Sequence, residues 1–172
     1  MANPKAAAST NNGTNYSDEY YTPEQYYKPL GEFEFDPCAG PTSCIARVNN
    51  RALNGLEIDW NGRVWLNPPY SKKCKPLFLG KLAQHGIGTA LVPASTDTKW
   101  FSDAVHEASS VLLITGRINF IRPGGKRSKN SGESAYFTYG RMDAEMLENA
   151  VMRGKIKGIW LKRQEPDYHN GH

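Results

Sequence analysis

At 172 residues, 39% of them apolar, the chain is long enough for one domain with a substantial core, and no apolar run reaches membrane-spanning length. A net charge of +4 and a pI near 8.9 draw polyanions only weakly unless the cations gather locally. Three cysteines without Cys-x-x-Cys spacing and four scattered histidines argue against a disulfide framework or a zinc site, and no charged-then-apolar leader opens the sequence, so a cytoplasmic location is expected.

Residues 1–18 are small and polar and bury too little to offset the entropy of ordering, so a flexible arm is expected there. A single domain over 19–163 follows, with a loose tail over 164–172. Thr22-Pro23 followed by Gln25 reads as a capped helix start, with the helix running over 23–30. Residues 31–36 alternate and read as a strand that ends in Asp36-Pro37-Cys38-Ala39-Gly40. That turn of small residues behind an acid lets a ligand approach the backbone closely, and it is also an ordinary strand-to-loop turn. A helix is expected over 42–52, and Asn61-Gly62 turns the chain into a buried strand at Val64 to Leu66.

Three lysines (Lys72, Lys73 and Lys75) then lead a helix over 75–85 that stops at Gly86. A buried strand over 88–92 precedes a helix over 98–108, capped by Thr96 or Asp97, and a strand over 110–114 follows. Residues 118–121 and 135–139 look like an antiparallel pair divided by the glycine-rich basic run 122–132. That run is either a solvated loop or a phosphate contact. Asp143 is placed to cap a helix ending near Arg153, and a last strand is expected over 156–160.

The most informative stretch is Asn67-Pro68-Pro69-Tyr70, which closes the strand at Leu66. Neither proline can donate to a ladder and each fixes its own φ, so the strand ends in a rigid corner. Asn67 offers a side-chain carbonyl, Asn67 and Pro68 offer backbone carbonyls, and Tyr70 offers a flat ring. Acceptors beside a stacking ring suit a planar base with an exocyclic amine, although a proline-stiffened loop needs no ligand to be useful.

Taken in order, Thr22-Pro23, Phe35-Asp36-Pro37-Cys38-Ala39-Gly40 and Asn67-Pro68-Pro69-Tyr70-Ser71 resemble the amino-group DNA methyltransferases. The stretches around Trp60 to Ser71, Val92 to Phe101 and Thr115 to Phe120 narrow this to the compact phage-type, Dam-like DNA N6-adenine methyltransferases. The resemblance implies an α/β fold: an abbreviated Rossmann-like, S-adenosylmethionine-dependent methyltransferase with a mostly parallel sheet and an antiparallel C-terminal edge. It implies S-adenosylmethionine as donor and a flipped adenine in double-stranded DNA as acceptor. Tyr21, Thr22 and Pro23 would close the donor pocket, while Phe35, Asp36, Pro37, Cys38 and Ala39 would face its methionine end. Glu57 and Asp59 would hold its ribose or adenine edge, with Trp60 against the ring. Asn67, Pro68, Pro69 and Tyr70 would form the catalytic corner. Ser71, Lys72, Lys73, Arg117, Arg122, Lys126, Arg127 and Lys129 would meet DNA.

The implied reaction is direct displacement with no covalent enzyme intermediate, so Cys38, Cys44 and Cys74 are read as small core or pocket-lining residues. The chain departs from the family in having a single glycine in the turn after Asp36 and no clear ribose-binding acid. Cytosine N4, RNA adenine and a protein glutamine amide suit the same corner. A non-catalytic DNA-binding module is the reading from a different class.

Overall fold

The computed structural model describes residues 20–52, 54–69, 73–122, 125 and 132–161. The expected arm at 1–18, the tail at 164–172 and the assignments to Tyr70, Ser71, Lys72, Lys126, Arg127 and Lys129 lie outside them.

Among the described residues seven strands and three α-helices build a mixed α/β domain. In chain order they are β1 (Phe33–Asp36), β2 (Ala46–Asn49), β3 (Val64–Leu66), α1 (Cys74–His85), β4 (Gly88–Pro93), α2 (Lys99–Glu107), β5 (Ser110–Ile114), β6 (Ser134–Tyr139), α3 (Arg141–Met152) and β7 (Gly158–Leu161). One seven-stranded sheet runs β2-β1-β3-β4-β6-β5-β7. Its first four strands are mutually parallel. The other three pairings are antiparallel: β6 inserts between β4 and β5, and β7 runs against β5. Five of the seven strands thus point one way, and the antiparallel pairings gather on the β4-to-β7 side of the sheet.

Each face of the sheet carries its own core. Val64, Leu66, Ala90 and Val92 pack with Phe78, Leu82 and Phe101 under α1 and α2. Trp65, Leu91, Leu112 and Tyr136 point the other way and pack with Leu30 and with Leu147 of α3. That alternation is the two-residue period of a strand buried on both sides. β1 breaks it: Phe33 belongs to the α3 face and Phe35 to the α1 face. The amides of Glu34 and Phe35 both donate to the Arg63 carbonyl (2.8 and 3.2 Å), a bulge that turns the strand over just before Asp36.

Several sequence expectations are corrected. Residues 42–52 hold no helix. They hold β2, an edge strand whose Val48 is 58% exposed and which therefore shows no hydrophobic period. The helix expected over 23–30 is two 3₁₀ turns, Glu24–Tyr26 and Lys28–Leu30, because Pro29 has no amide hydrogen with which to continue an α-helix. Residues 118–121 form no ladder with β6, and Ile121 instead bridges Tyr21. Neither Thr96 nor Asp97 caps α2. Thr98 stands at that position, with its hydroxyl donated to the Ser95 carbonyl (2.7 Å). Asp143 lies inside α3, buried, and caps nothing. The last strand starts two residues later than expected, at Gly158. Among the described residues no helix is long and apolar enough to cross a membrane.

Candidate active site at the carboxyl ends of the parallel strands

Because β1 and β3 are parallel neighbours, the turns that follow them open on the same edge of the sheet. On the β1 side, Asp36 is only 3% exposed. Its carboxylate accepts from the Cys38 amide (2.9 Å), with Ser43 as a second donor. Burial nevertheless pushes its pKa up to about 7, the Cys38 amide, Ser43 and Arg51 pulling back only in part.

The turn is braced from the segment after β2. The Asn50 amide donates to the Asp36 carbonyl (2.8 Å) and the Asn50 side chain to the Pro37 carbonyl (3.2 Å). Arg51 donates to the carbonyls of Pro41 and Ser43 (2.9 and 2.8 Å). Gly55 crosses so close that a Cβ there would stand 2.4 Å from the Pro37 oxygen. A glycine distant in sequence thus supplies part of the closeness that the single-glycine turn does not. Asn50, Arg51 and Gly55 were not singled out in the sequence. Their role follows from β2, which carries no readable pattern.

The raised acid predicts a pH effect on stability. Folded Asp36 holds its proton to about pH 7, whereas an unfolded aspartate loses it near pH 4, so unfolding in that window releases a proton. Stability should therefore fall as pH rises from about 4 to about 7. Asp36→Asn should flatten that slope, as read from denaturant midpoints of the two proteins across the window. Parallel pH profiles would contradict the assignment.

On the β3 side, Asn67 leaves the strand half-buried, followed by buried Pro68 and exposed Pro69. The Asn67 amide nitrogen donates to the Thr22 hydroxyl (3.3 Å), and Thr22 is 6% exposed. The Asn67 amide oxygen is buried with no hydrogen-bond partner among the described residues. A buried acceptor left unpaired carries a desolvation cost and is therefore a prepared place for an incoming donor.

Thr22 is brought there by its neighbour. Tyr21 and Ile121 exchange two backbone hydrogen bonds (2.8 and 3.0 Å), which tie the segment to the stretch that follows β5. The Tyr21 ring also lies against Gly40, where a Cβ would sit 3.0 Å from it. The resemblance, and not the helix-capping pattern, places Tyr21, Thr22 and Pro23 at the donor pocket. The structure has no such cap, since Pro23 occupies the cap position without a side-chain bond.

Other assigned residues are not gathered here. Trp60 is a core residue: its ring stacks on Phe78 at 6.3 Å, its indole N–H donates to the Gly55 carbonyl (2.8 Å), and it meets the His85 ring at the end of α1. Asp59 precedes it on the approach to the amino end of β3, the edge opposite Asn67. Glu57 and Asp59 are both exposed. The Leu56 and Ile58 carbonyls that flank Glu57 accept from Lys81, which pins this loop to the lower half of α1. Glu57, Asp59 and Trp60, assigned to the donor's ribose and ring, thus lie on the loop that leads from Gly55, beside Pro37, to the amino end of β3.

Arg117 follows β5, which runs parallel to β4, so it lies at the same edge as Asn67; it is exposed and 3.8 Å from Glu133. Arg122 lies over the Tyr20 ring and donates to its hydroxyl (3.1 Å). Lys73 is exposed just before α1. Of the cysteines, Cys38 and Cys74 are half-buried beside the α1 core, whereas Cys44 is exposed, which corrects its reading as a core or pocket residue. Among the described residues no group of histidine, cysteine and acid side chains can hold a metal ion.

Comparison with known proteins identifies a family and two relatives. A family described as DNA N-6-adenine-methyltransferase (Dam) matches residues 9–141. The DNA N-6-adenine-methyltransferase of Haemophilus phage HP1 (strain HP1c1) is 32% identical over 109 residues, 59% of this chain and 61% of that protein. That of Escherichia phage T1 is 26% identical over 140 residues, 75% of this chain and 58% of that protein. The chain thus spans about three fifths of the length of the curated relatives it matches. No solved structure matches. Every strand except β7, and both turns that form the site, fall inside the matched span, and the chain belongs to the DNA N-6-adenine-methyltransferase (Dam) family.

Proposed function

We propose that the chain transfers a methyl group from S-adenosylmethionine to the N6 amine of adenine in double-stranded DNA, as a solitary phage-type modifier. The observation that carries this reading is the buried, unpartnered oxygen of Asn67 on the same sheet edge as the buried acid Asp36. The phage relatives, both DNA N-6-adenine-methyltransferases, support the same acceptor. The sheet is then an abbreviated Rossmann-like one, which takes its ligands at the carboxyl ends of its parallel strands.

The residues present fit the donor. Asp36 is an acid whose ionised form lacks a full counter-charge, and a cationic ligand beside it would favour that form. Ala39 and Gly40 keep the turn low, and Tyr21, Thr22 and Pro23 stand opposite it. Phe35, Asp36, Pro37, Cys38 and Ala39 would hold one side of the donor and Tyr21, Thr22 and Pro23 the other. When bound, S-adenosylmethionine supplies a methyl group on a positively charged sulfur that leaves readily.

The work left to the protein is to place and polarise the amine. The Asn67 oxygen and the Pro68 carbonyl accept its two N–H bonds, which draws the nitrogen lone pair out of the ring. The nitrogen thereby becomes nucleophilic without first losing a proton. Once the nitrogen has bonded to carbon, its surplus proton passes to water, because neutral amide oxygens are too weakly basic to keep it. Tyr70 would stack on the extruded base, and contacts to its pairing edge offset the few kcal/mol, roughly, that extrusion costs. Lys73, Arg117 and Arg122, with Ser71, Lys72, Lys126, Arg127 and Lys129, would meet phosphates and position the duplex.

The test is to incubate the protein with duplex DNA and isotope-labelled donor, digest the DNA, and identify the labelled nucleoside by mass spectrometry. N6-methyladenosine in its deoxy form is expected. Label in N4-methylcytosine, RNA or a protein glutamine would move the acceptor. Salt-sensitive DNA binding with no label transferred would make the chain a binding module.

A further inference from the structure

We propose that the turn Arg153-Gly154-Lys155-Ile156-Lys157, between α3 and β7, is a contact surface for the phosphate backbone of duplex DNA, to one side of the target adenine. The inference rests on the reading above and extends it to a stretch that no motif marks. From Asn149 to Leu161 the chain carries three cations and no acid. Arg153, Lys155 and Lys157 are all exposed, and among the described residues none of them is in an ion pair. Cations at the end of a helix ordinarily answer its partial negative charge, an effect confined to the last turn. That accounts for Arg153, which stands at the C-cap of α3, but not for the two lysines beyond it.

The topology places this turn on the edge that holds the site. β7 runs antiparallel to β5 with Gly158 beside Ile114, so the turn before β7 lies where β5 ends. β5 is parallel to β4, and that end is the carboxyl edge on which Asn67 sits. The Thr115 amide donates to the Lys157 carbonyl (2.9 Å), which joins the turn to the segment carrying Arg117. Ile156 is buried between the two exposed lysines, and the amides of Lys155 and Ile156 both donate to the Ala150 carbonyl (2.9 and 3.3 Å). The lysines therefore stand on a fixed base. Of the acids near this end of the edge, Glu133 lies against Arg117 and Glu24 is paired with Lys28. β3 and β7 are four steps apart in the sheet, about 19 Å at the usual strand spacing. A duplex laid along the edge with its target base at Asn67 thus brings phosphates about five or six base pairs away over the turn.

Salt titration of DNA binding tests this, with a fluorescent duplex that reaches past the turn on both sides of the methylated adenine. Replacing all three cations (Arg153→Gln, Lys155→Gln and Lys157→Gln) should lower the slope of log Kd against log salt concentration by about 2 to 3, one phosphate contact for each. KM for DNA should rise, while kcat at saturating DNA and the donor dissociation constant stay within about twofold. Arg141→Gln removes one charge at the start of α3, on the opposite edge, and should leave the slope unchanged. Duplexes cut short on either side of the adenine locate the contact. With about three base pairs left on one side, parent and triple variant should bind alike, and with the other side cut the difference should remain. An unchanged slope in the triple variant overturns the proposal. So does a loss of equal size on every duplex, which marks net charge rather than a contact, and so does a loss confined to melting temperature, which would leave the cations to α3 alone. If the parent binds DNA and shows the expected slope difference but deposits no N6-methyladenine, the functional reading fails and the surface stands. A parent that binds no DNA overturns both.

Discussion

Asn67→Ala is expected to lower methyl transfer by at least about a hundredfold while donor affinity stays within a few fold of the parent. Loss of one aimed polar group at a site of developing charge costs roughly 10² to 10³ in rate. The substitution removes the one buried acceptor that the described corner leaves unpaired. What remains is the Pro68 carbonyl, which can grip one N–H but cannot by itself fix the plane of the amine. The fold should survive, since Asn67 is half-buried beyond the end of β3 and its side chain has one described hydrogen bond. Single-turnover kinetics with labelled donor would give the chemical step, and calorimetry the donor affinity. Near-parental turnover in a well-folded Asn67→Ala protein would remove the basis for the mechanism.

The second large effect falls on stability, at the other end of the same strands. Arg63 and Asp143 form an ion pair at 2.9 Å with side chains 4% and 0% exposed. The Thr89 hydroxyl donates to the same Asp143 oxygen (2.7 Å), and Arg63 also donates to the carbonyls of Leu30 and Glu32 (2.7 and 2.9 Å). The guanidinium lies over the Phe33 ring at 4.2 Å. One cluster therefore ties α3 to β1, β3, β4 and the turn at Leu30. Burial raises the pKa of Asp143, while Arg63 and Thr89 pull it back towards the charged form.

Asp143→Ala leaves a guanidinium enclosed without its counter-ion, a change that costs about 3–5 kcal/mol in comparable pairs. For a domain of this size that corresponds to a melting temperature lower by roughly 6–20 °C. Replacing both partners with apolar residues (Arg63→Met together with Asp143→Leu) should recover much of the loss, because no bare charge is then left inside. Thermal denaturation of the single and double variants decides it. A drop of less than about 3 °C for Asp143→Ala would show that the pair is not confined as described.

The parts of the fold that could be read from the sequence are those whose pattern is local. β3 reads as a buried run stopped by two prolines. α1 ends where Gly86 takes a left-handed φ of 80°, and β4 and β5 are continuous apolar stretches. The parts that could not be read are set by distant partners. β2 is an edge strand, paired on one side and wet on the other, so Arg47 and Val48 show no period and a helix is the natural misreading. β6 is buried at all six positions, yet nothing in those residues says that its neighbours are β4 and β5 rather than the segment before it.

The same division holds for the site. Asn67 and Asp36 announce themselves by the turns that carry them. Thr22 is legible only through the resemblance, since its own pattern reads as a helix cap, and its described contact is with an amide 45 positions away. Trp60 and Asp143 show the converse, since an amphipathic ring and an acid near a helix start look functional or terminal until burial shows them to be internal. Gly55 carried no local sign, because its meaning lies in the oxygen it passes.

The insertion of β6 between β4 and β5 also bears on how the molecule can be divided. β4 and β5 share no hydrogen bonds of their own, so a fragment ending before Ser134, which lacks β6 and β7, would leave bare one edge of β4 and both edges of β5. Such a fragment invites intermolecular strand exchange rather than an independently stable half. Split-protein complementation within the basic run 122–132 should therefore work only if the C-terminal piece is supplied as the fragment forms, and the domain should melt as one cooperative unit.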